Sequence, residues 1–270
     1  MDVENYYAKY GLEYDPFLKN AKKIHVDTAE SREVKSRLEY LQKVKGFGLL
    51  TGMPGVGKTT CIRRWAEGMN PSLYKVVYNS LSTVTVQEFY RNMALMLGSD
   101  PSYRKTDNFH KIQDEINRLA LEKHITPVII IDEADHMSGL ILRDLKILFN
   151  FEMDSRDRAV ILLTGQTSLN NTLRLSAHEA LRQRIVMNYN MDSLSPNEVG
   201  DYILTKLKAA GCSGCIFEEA AIEAISNASA GIPRVVDRLC SKALLIADSL
   251  SELLISPETV MKVVNDYQLG

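Results

Sequence analysis

Gly52-Met53-Pro54-Gly55-Val56-Gly57-Lys58-Thr59 has the spacing G-x-x-x-x-G-K-[ST], and its residue types suit a polyphosphate. Glycines let the backbone curl until successive N–H groups point inward as an anion cradle. A helix starting at Lys58 adds its positive end. Lys58 brings a full charge to the β and γ phosphates, and the Thr59 hydroxyl suits Mg2+, with Thr60 next along the same first turn. A chance glycine-rich turn is the weaker alternative, because an apolar run precedes the loop and a helical pattern follows it. A second chemical element is Val128-Ile-Ile-Ile131-Asp132-Glu133-Ala134-Asp135, an apolar strand pattern ending in carboxylates. Parallel sheets bind ligands at the carboxyl ends of their strands. Asp132 is therefore expected beside the phosphates, holding Mg2+ through water, and Glu133 is the natural group to polarise an attacking water. Alone, either carboxylate would read as a helix cap; beside the glycine loop, the nucleotide role is preferred.

These residues need a scaffold, and the chain supplies one. Strand patterns at Phe47–Thr51, Lys75–Asn79, Val128–Asp132 and Ala159–Thr164 alternate with helical patterns at Thr59–Glu67, Val86–Leu97, Asn108–Glu122 and Gly139–Asn150. That order predicts an α/β fold with a parallel sheet. After Asp192 the strand signals stop. Four helical patterns follow, Pro196–Ala210, Phe217–Ala230, Pro233–Ser249 and Pro257–Tyr267, two of them opened by Ser-Pro. The expected division is residues 1–192 as a nucleotide-binding core, with an N-terminal extension 1–45, and 193–270 as a small all-α subdomain. The expected loops are Gly98–Thr106 and Gly211–Ile216.

Bulk chemistry narrows the classes. With 32 basic and 34 acidic residues the net charge is −2, which excludes a histone-like polycation. Nucleic acid, if bound, must meet a local basic surface. Four cysteines are too few for a disulfide scaffold. The apolar runs are strand-length, far short of a membrane span. A reduced, cytoplasmic protein without membrane attachment is expected. Cys212-Ser-Gly-Cys215 has C-x-x-C spacing, but no second pair or nearby histidine completes a zinc set. His136 reads as a helix-start residue and Trp65 as core.

The ordered motifs resemble the AAA+ ATPases, and more narrowly the ExeA-type (general secretion pathway protein A) group. The resemblance covers nearly the whole chain. It runs through Tyr10-Gly11-Leu12, Asp15-Pro16-Phe17, the glycine loop, Ile131-Asp132-Glu133-Ala134, Leu163-Thr164-Gly165-Gln166, Leu181-Arg182-Gln183-Arg184-Ile185 and Gly231-Ile232-Pro233-Arg234. It implies a P-loop core with an α-helical lid, and ATP rather than GTP as nucleotide. It also implies further roles. Gln166, or alternatively Thr164, is similar to sensor 1; Arg184, with Arg182 as runner-up, is similar to an arginine finger acting on a neighbouring subunit's nucleotide. Arg234 is similar to sensor 2, and Asn79 to the residue that restrains the catalytic glutamate. Phe17 is a candidate neighbour of the base or a core anchor.

Secretion-class members of that group continue into a membrane span and a periplasmic region, whereas this chain ends at Gly270. It therefore looks more like the stand-alone helper ATPases of DNA transposition (the IstB, TnsC, TniB and MuB kind). The resemblance then implies a homo-oligomer, ring or filament, that assembles with ATP on duplex DNA without sequence preference and recruits or activates a transposase. Backbone groups, hydroxyls and cations at Thr83, Thr85, Arg104, Lys105 and Lys111 are the expected phosphate contacts. The charged run Arg32–Lys45 alternates with Glu33 and Glu39 and reads as a solvated helix face. The alternatives are a secretion-linked or other assembly ATPase acting on protein partners without DNA, and a replication-type helicase loader.

Overall fold

The computed structural model describes residues 6–19, 24–212 and 214–268. Contacts divide the chain into two units: residues 33–54 with 58–191, and residues up to 32 with 55–57 and 192–270. Each is described by itself.

The α/β unit is built on five strands: β1 (Gly46–Gly52), β2 (Tyr74–Asn79), β3 (Thr126–Ile131), β4 (Val160–Gly165) and β5 (Ile185–Met191). They pair in parallel in the order β2-β3-β4-β1-β5. Its helices are α1 (Ala29–Val44, the first turn grouped with the other unit), α2 (Lys58–Glu67), α3 (Val86–Leu97), α4 (Lys105–Asn117), α5 (Gly139–Leu148), α6 (Ser168–Arg174) and α7 (Glu179–Arg182). Every residue of β1 and β4 is buried, and five of the six in β3, so these strands read as unbroken apolar runs in sequence. One face carries the main core, where Phe47, Ile129, Ile131, Ile161 and Leu163 meet Phe89, Met93, Ile112, Ile141 and Leu145 of the covering helices.

β5 and α4 depart most from expectation. β5 carried no strand signal because it is an edge strand with two asparagines, buried only at alternate positions. α4 begins at Lys105 instead of Asn108, and the turn that follows it, Arg118–Glu122, is π-helical. Lys105 therefore belongs to a helix and not to the expected loop Gly98–Thr106, while Lys111 lies in a helix as expected.

The helical unit contains α8 (Pro196–Ala209), α9 (Glu219–Ser229), α10 (Pro233–Ser249) and α11 (Pro257–Gln268). Ser195 and Glu198 close a capping box on α8. Proline stands in the first turn of α8 and α10. The described residues before Arg32 belong to this unit and not to the nucleotide-binding core: Tyr10, Leu12 and Phe17 are buried with Val199, Phe217, Leu239 and Val260. Phe17 is a core anchor, edge-on to Phe217 at 6.5 Å. Its segment is tied by Asp15, whose Oδ2 accepts from the hydroxyls of Tyr6 and Ser241, each at 2.6 Å. Lys206 is 8% exposed and meets Asp237 at 2.7 Å; burial raises the Asp237 carboxyl's pKa while the ammonium pulls it down. The Cys212 and Cys215 thiols donate to the carbonyls of Gly214 and Phe217.

Gly231 turns the chain between α9 and α10 at φ +69°, and its carbonyl accepts the Leu194 N–H at 2.9 Å. A Cβ there would sit 2.0 Å from the Leu194 carbonyl oxygen. Backbone meets backbone, so nothing flexible can yield. Gly231→Ala is expected to lower the stability of this unit by about 3 kcal/mol, left-handed strain adding to the clash. Urea denaturation followed by circular dichroism measures it. A loss below about 1 kcal/mol would mean the turn can re-form elsewhere.

Candidate functional site

The glycine loop joins the end of β1 to the start of α2. Gly55 and Gly57 hold φ of +87° and +114°, the left-handed backbone that an N–H cradle requires. Met53 is exposed at the loop, and Val56 is buried. Lys58, the first residue of α2, lays its ammonium across the loop, donating to the carbonyls of Gly52 at 2.9 Å and Met53 at 3.0 Å. Thr60 is exposed one residue beyond Thr59. Residues 55–57 are grouped by contact with the helical unit. There the backbone N–H of Arg234, in the first turn of α10, donates to the Gly55 carbonyl at 3.3 Å. A Cβ on Gly55 would lie 2.8 Å from the Arg234 Cβ, so this approach admits only glycine.

Asp132 stands just past β3 and is 7% exposed. Its Oδ2 accepts from the Thr59 hydroxyl at 3.2 Å and the Tyr78 hydroxyl at 2.6 Å, and its Oδ1 accepts the Glu133 N–H at 2.9 Å. Burial, then hydrogen bonding to Asp132, raises the Tyr78 phenol above the usual tyrosine range. A hydroxyl and a carboxylate oxygen at this separation, beside a phosphate cradle, are the hard oxygen donors that Mg2+ prefers. The residues fit the metal.

Glu133 is exposed and holds φ 53°, ψ 36°, a left-handed conformation rare for glutamate. Asn79 ends β2 on the opposite side of the strand from Tyr78 and is 2% exposed. Its Oδ1 accepts the Leu81 N–H at 2.9 Å and the Asn92 side-chain amide of α3 at 3.3 Å. The Leu81 backbone donor fixes which atom is oxygen. The buried Asn79 Nδ2 has no hydrogen-bond partner among the described residues.

At the end of β4 the two sensor candidates separate. Gln166 is exposed; its backbone N–H donates to Asp135 Oδ1 at 3.0 Å, while a Cβ on Gly165 would sit 2.3 Å from that oxygen. Thr164 is fully buried, with no hydrogen-bond partner for its hydroxyl among the described residues. Since Ile131 pairs with Leu163, the register continued one residue sets Thr164 beside Asp132 on the same face. Arg184 donates to the Lys146 carbonyl in the last turn of α5 at 3.1 Å, and Arg182 to the Arg174 carbonyl at 2.9 Å.

The expected nucleic-acid contacts fare unevenly. The Thr85 hydroxyl is spent in a capping box with Glu88 at the start of α3. Lys105 pairs with Asp144 and lies 5.1 Å over the Tyr90 ring, and Lys111 donates to the Asp100 carbonyl at 2.7 Å. These three have structural duties. Thr83 and Arg104 are exposed, and Tyr103 beside Arg104 is 79% exposed.

Tyr78, Asn92 and Asp135 were missed by sequence reasoning. Asn92 had one faint signal, a polar residue interrupting the apolar stripe Phe89, Met93, Met96 of α3. Tyr78 had none, and Asp135 showed only as the last carboxylate of the Asp132–Asp135 run, because their partners are set by strand register and loop geometry.

Comparison with known proteins follows the same lines. Residues 41–173 match the AAA domain family. The chain is 31% identical over 244 residues to general secretion pathway protein A of Aeromonas hydrophila, covering 88% of this chain and 44% of that protein. It is 32% identical over 124 residues to the Mu-like prophage FluMu DNA transposition protein B of Haemophilus influenzae, covering 46% of this chain and 40% of that one. The chain thus spans less than half the length of these curated relatives. Among solved structures, Cdc6p from Pyrobaculum aerophilum superposes with a TM-score of 0.70 at 18% identity, over 92% of this chain and 69% of that one. With the glycine loop, the carboxylate strand and the parallel sheet in place, the chain belongs to the AAA+ ATPases.

Proposed function

We propose that this chain binds MgATP at Gly52–Thr60, Thr59 and Asp132, hydrolyses it with Glu133, and uses the nucleotide state to assemble on duplex DNA as a helper of transposition. The single observation that carries the nucleotide chemistry is the buried Asp132 carboxylate held to Thr59 directly behind Lys58 and the glycine cradle. Bound there, Mg2+ would offset charge on the phosphate oxygens. Thr59 and Asp132 hold it, Lys58 meets the phosphates, and Glu133 accepts a proton from the attacking water. Asn79 presents its unpartnered amide as a restraint for Glu133. Of the sensor pair, the buried free hydroxyl of Thr164 beside Asp132 favours Thr164 over the exposed Gln166. Arg234 reports on the loop from the helical unit, through the backbone approach to Gly55. Arg184, with Arg182 behind it, acts in trans on the nucleotide of the next subunit, so hydrolysis depends on assembly.

For DNA, the similarity to a DNA transposition protein supplies the partner class. The contact surface is Thr83 with Tyr103 and Arg104, exposed hydroxyl, aromatic and cation suited to sequence-independent phosphate contacts. One or two weak contacts per protomer sum along an assembly. A second reading, an ATPase assembling protein partners without DNA, is favoured by the longer similarity to general secretion pathway protein A, 88% of the chain against 46%. Sedimentation and ATPase rate with and without duplex DNA, with ATP and a non-hydrolysable analogue, separate the two. A large DNA-bound species that grows with nucleotide is expected. No DNA binding at low salt with either nucleotide would remove the transposition reading and leave the protein-partner one.

A further inference from the structure

We propose that Tyr78 is a positioning residue for the metal-binding carboxylate: its hydroxyl locks Asp132 in the orientation that Mg2+ requires. The inference rests on reading Thr59 and Asp132 as the metal site. Three donors from three places hold that carboxylate, Thr59 on α2, Tyr78 on β2 and the Glu133 backbone beyond β3. They are not equivalent. The Thr59 oxygen would have a second task at the metal, and the Glu133 N–H belongs to the residue proposed as general base, held in left-handed backbone. Tyr78 alone is free of other chemistry. Its bond is the shortest of the three, 2.6 Å, the length of a charge-assisted O–H···O bond.

The ring, 43% exposed, lines a groove of about 370 Å³ with Ile62, Ala66, Val76 and Ile130, between α2 and the strands β2 and β3. The phenol therefore reaches Asp132 from a strand rather than from a loop. Outer groups that orient a metal's ligands change metal affinity by about 10- to 100-fold when removed. Removing this one frees Asp132 Oδ2 to rotate toward solvent or Thr59 alone.

Tyr78→Phe keeps the ring and its packing, so the test isolates the hydroxyl. Binding of a fluorescent ATP analogue is measured in EDTA and across a Mg2+ series, and Mn2+ affinity of the nucleotide complex is read by electron paramagnetic resonance. The variant is expected to match wild type in EDTA, to lose most of the Mg2+-dependent tightening, and to bind Mn2+ about tenfold more weakly. In an Asp132→Asn background the same change should add almost nothing, because its route to the metal is already gone. Wild-type Mn2+ affinity in Tyr78→Phe, or an equal loss in the Asp132→Asn background, would overturn the positioning role. Wild-type protein that binds nucleotide equally with and without Mg2+ would overturn the metal reading, and this inference with it.

Discussion

Lys58→Ala weakens nucleotide binding by at least about 100-fold and removes any nucleotide-dependent assembly. The ammonium donates to two loop carbonyls, at 2.9 and 3.0 Å, and so is held against the glycine loop that would cradle the phosphates. A phosphate there gains charge-assisted hydrogen bonds of about 1.5–3 kcal/mol each. Losing two of them, about 3 kcal/mol or more at about 1.4 kcal/mol per tenfold, gives a loss of this size. Alanine is a good helix former at the start of α2, so the variant keeps its fold. Titration with a fluorescent ATP analogue measures the effect, with thermal denaturation as the check on folding. A folded Lys58→Ala protein whose affinity stays within about tenfold of wild type would take the phosphate role away from this lysine.

The difference between Lys58 and Tyr78 shows what a sequence can carry. The glycine loop states its chemistry in contiguous residue types, and Val128–Ile131 followed by Asp132 and Glu133 does so again. β1, β3 and β4 were legible because strands covered on both faces need no alternation, only a run of apolar residues. β5 was not, since half its side chains face away from the core and include Asn188 and Asn190. The N-terminal segment was misassigned for a related reason: Tyr10, Leu12 and Phe17 announce burial but not against which unit. Thr85, Lys105 and Lys111 announce hydroxyl and charge, while their partners Glu88, Asp144 and the Asp100 carbonyl are revealed only by geometry. Tyr78 is the extreme case. Its partner lies 54 residues away, and the pairing of Asn79 with Ile131 is what brings the two together.

Glu133→Gln is expected to retain nucleotide binding and to lower turnover by about 100- to 10,000-fold, the usual worth of a positioned general base. The backbone explains why the residue is placed as it is. Glu133 holds a left-handed conformation that costs about 1–2 kcal/mol for a residue with a Cβ. Two bonds sustain it, the Glu133 N–H to Asp132 Oδ1 at 2.9 Å and the His136 N–H to the Glu133 carbonyl at 3.0 Å. Both use only the main-chain atoms of Glu133, so glutamine inherits them together with the strain. The exposed side chain then differs only in that an amide cannot take a proton from water. Stability should therefore stay within about 0.5 kcal/mol of wild type while phosphate release stops, and ATP-dependent assemblies should persist instead of decaying. Glu133→Asn separates strain from chemistry: asparagine tolerates the left-handed region, so it should equal or exceed wild type in stability and remain inactive. Stopped-flow phosphate release and sedimentation in ATP measure the two halves. Wild-type phosphate release from a folded Glu133→Gln protein would move the base to another residue. Normal binding with lost turnover in both variants would fix it at the carboxylate of Glu133.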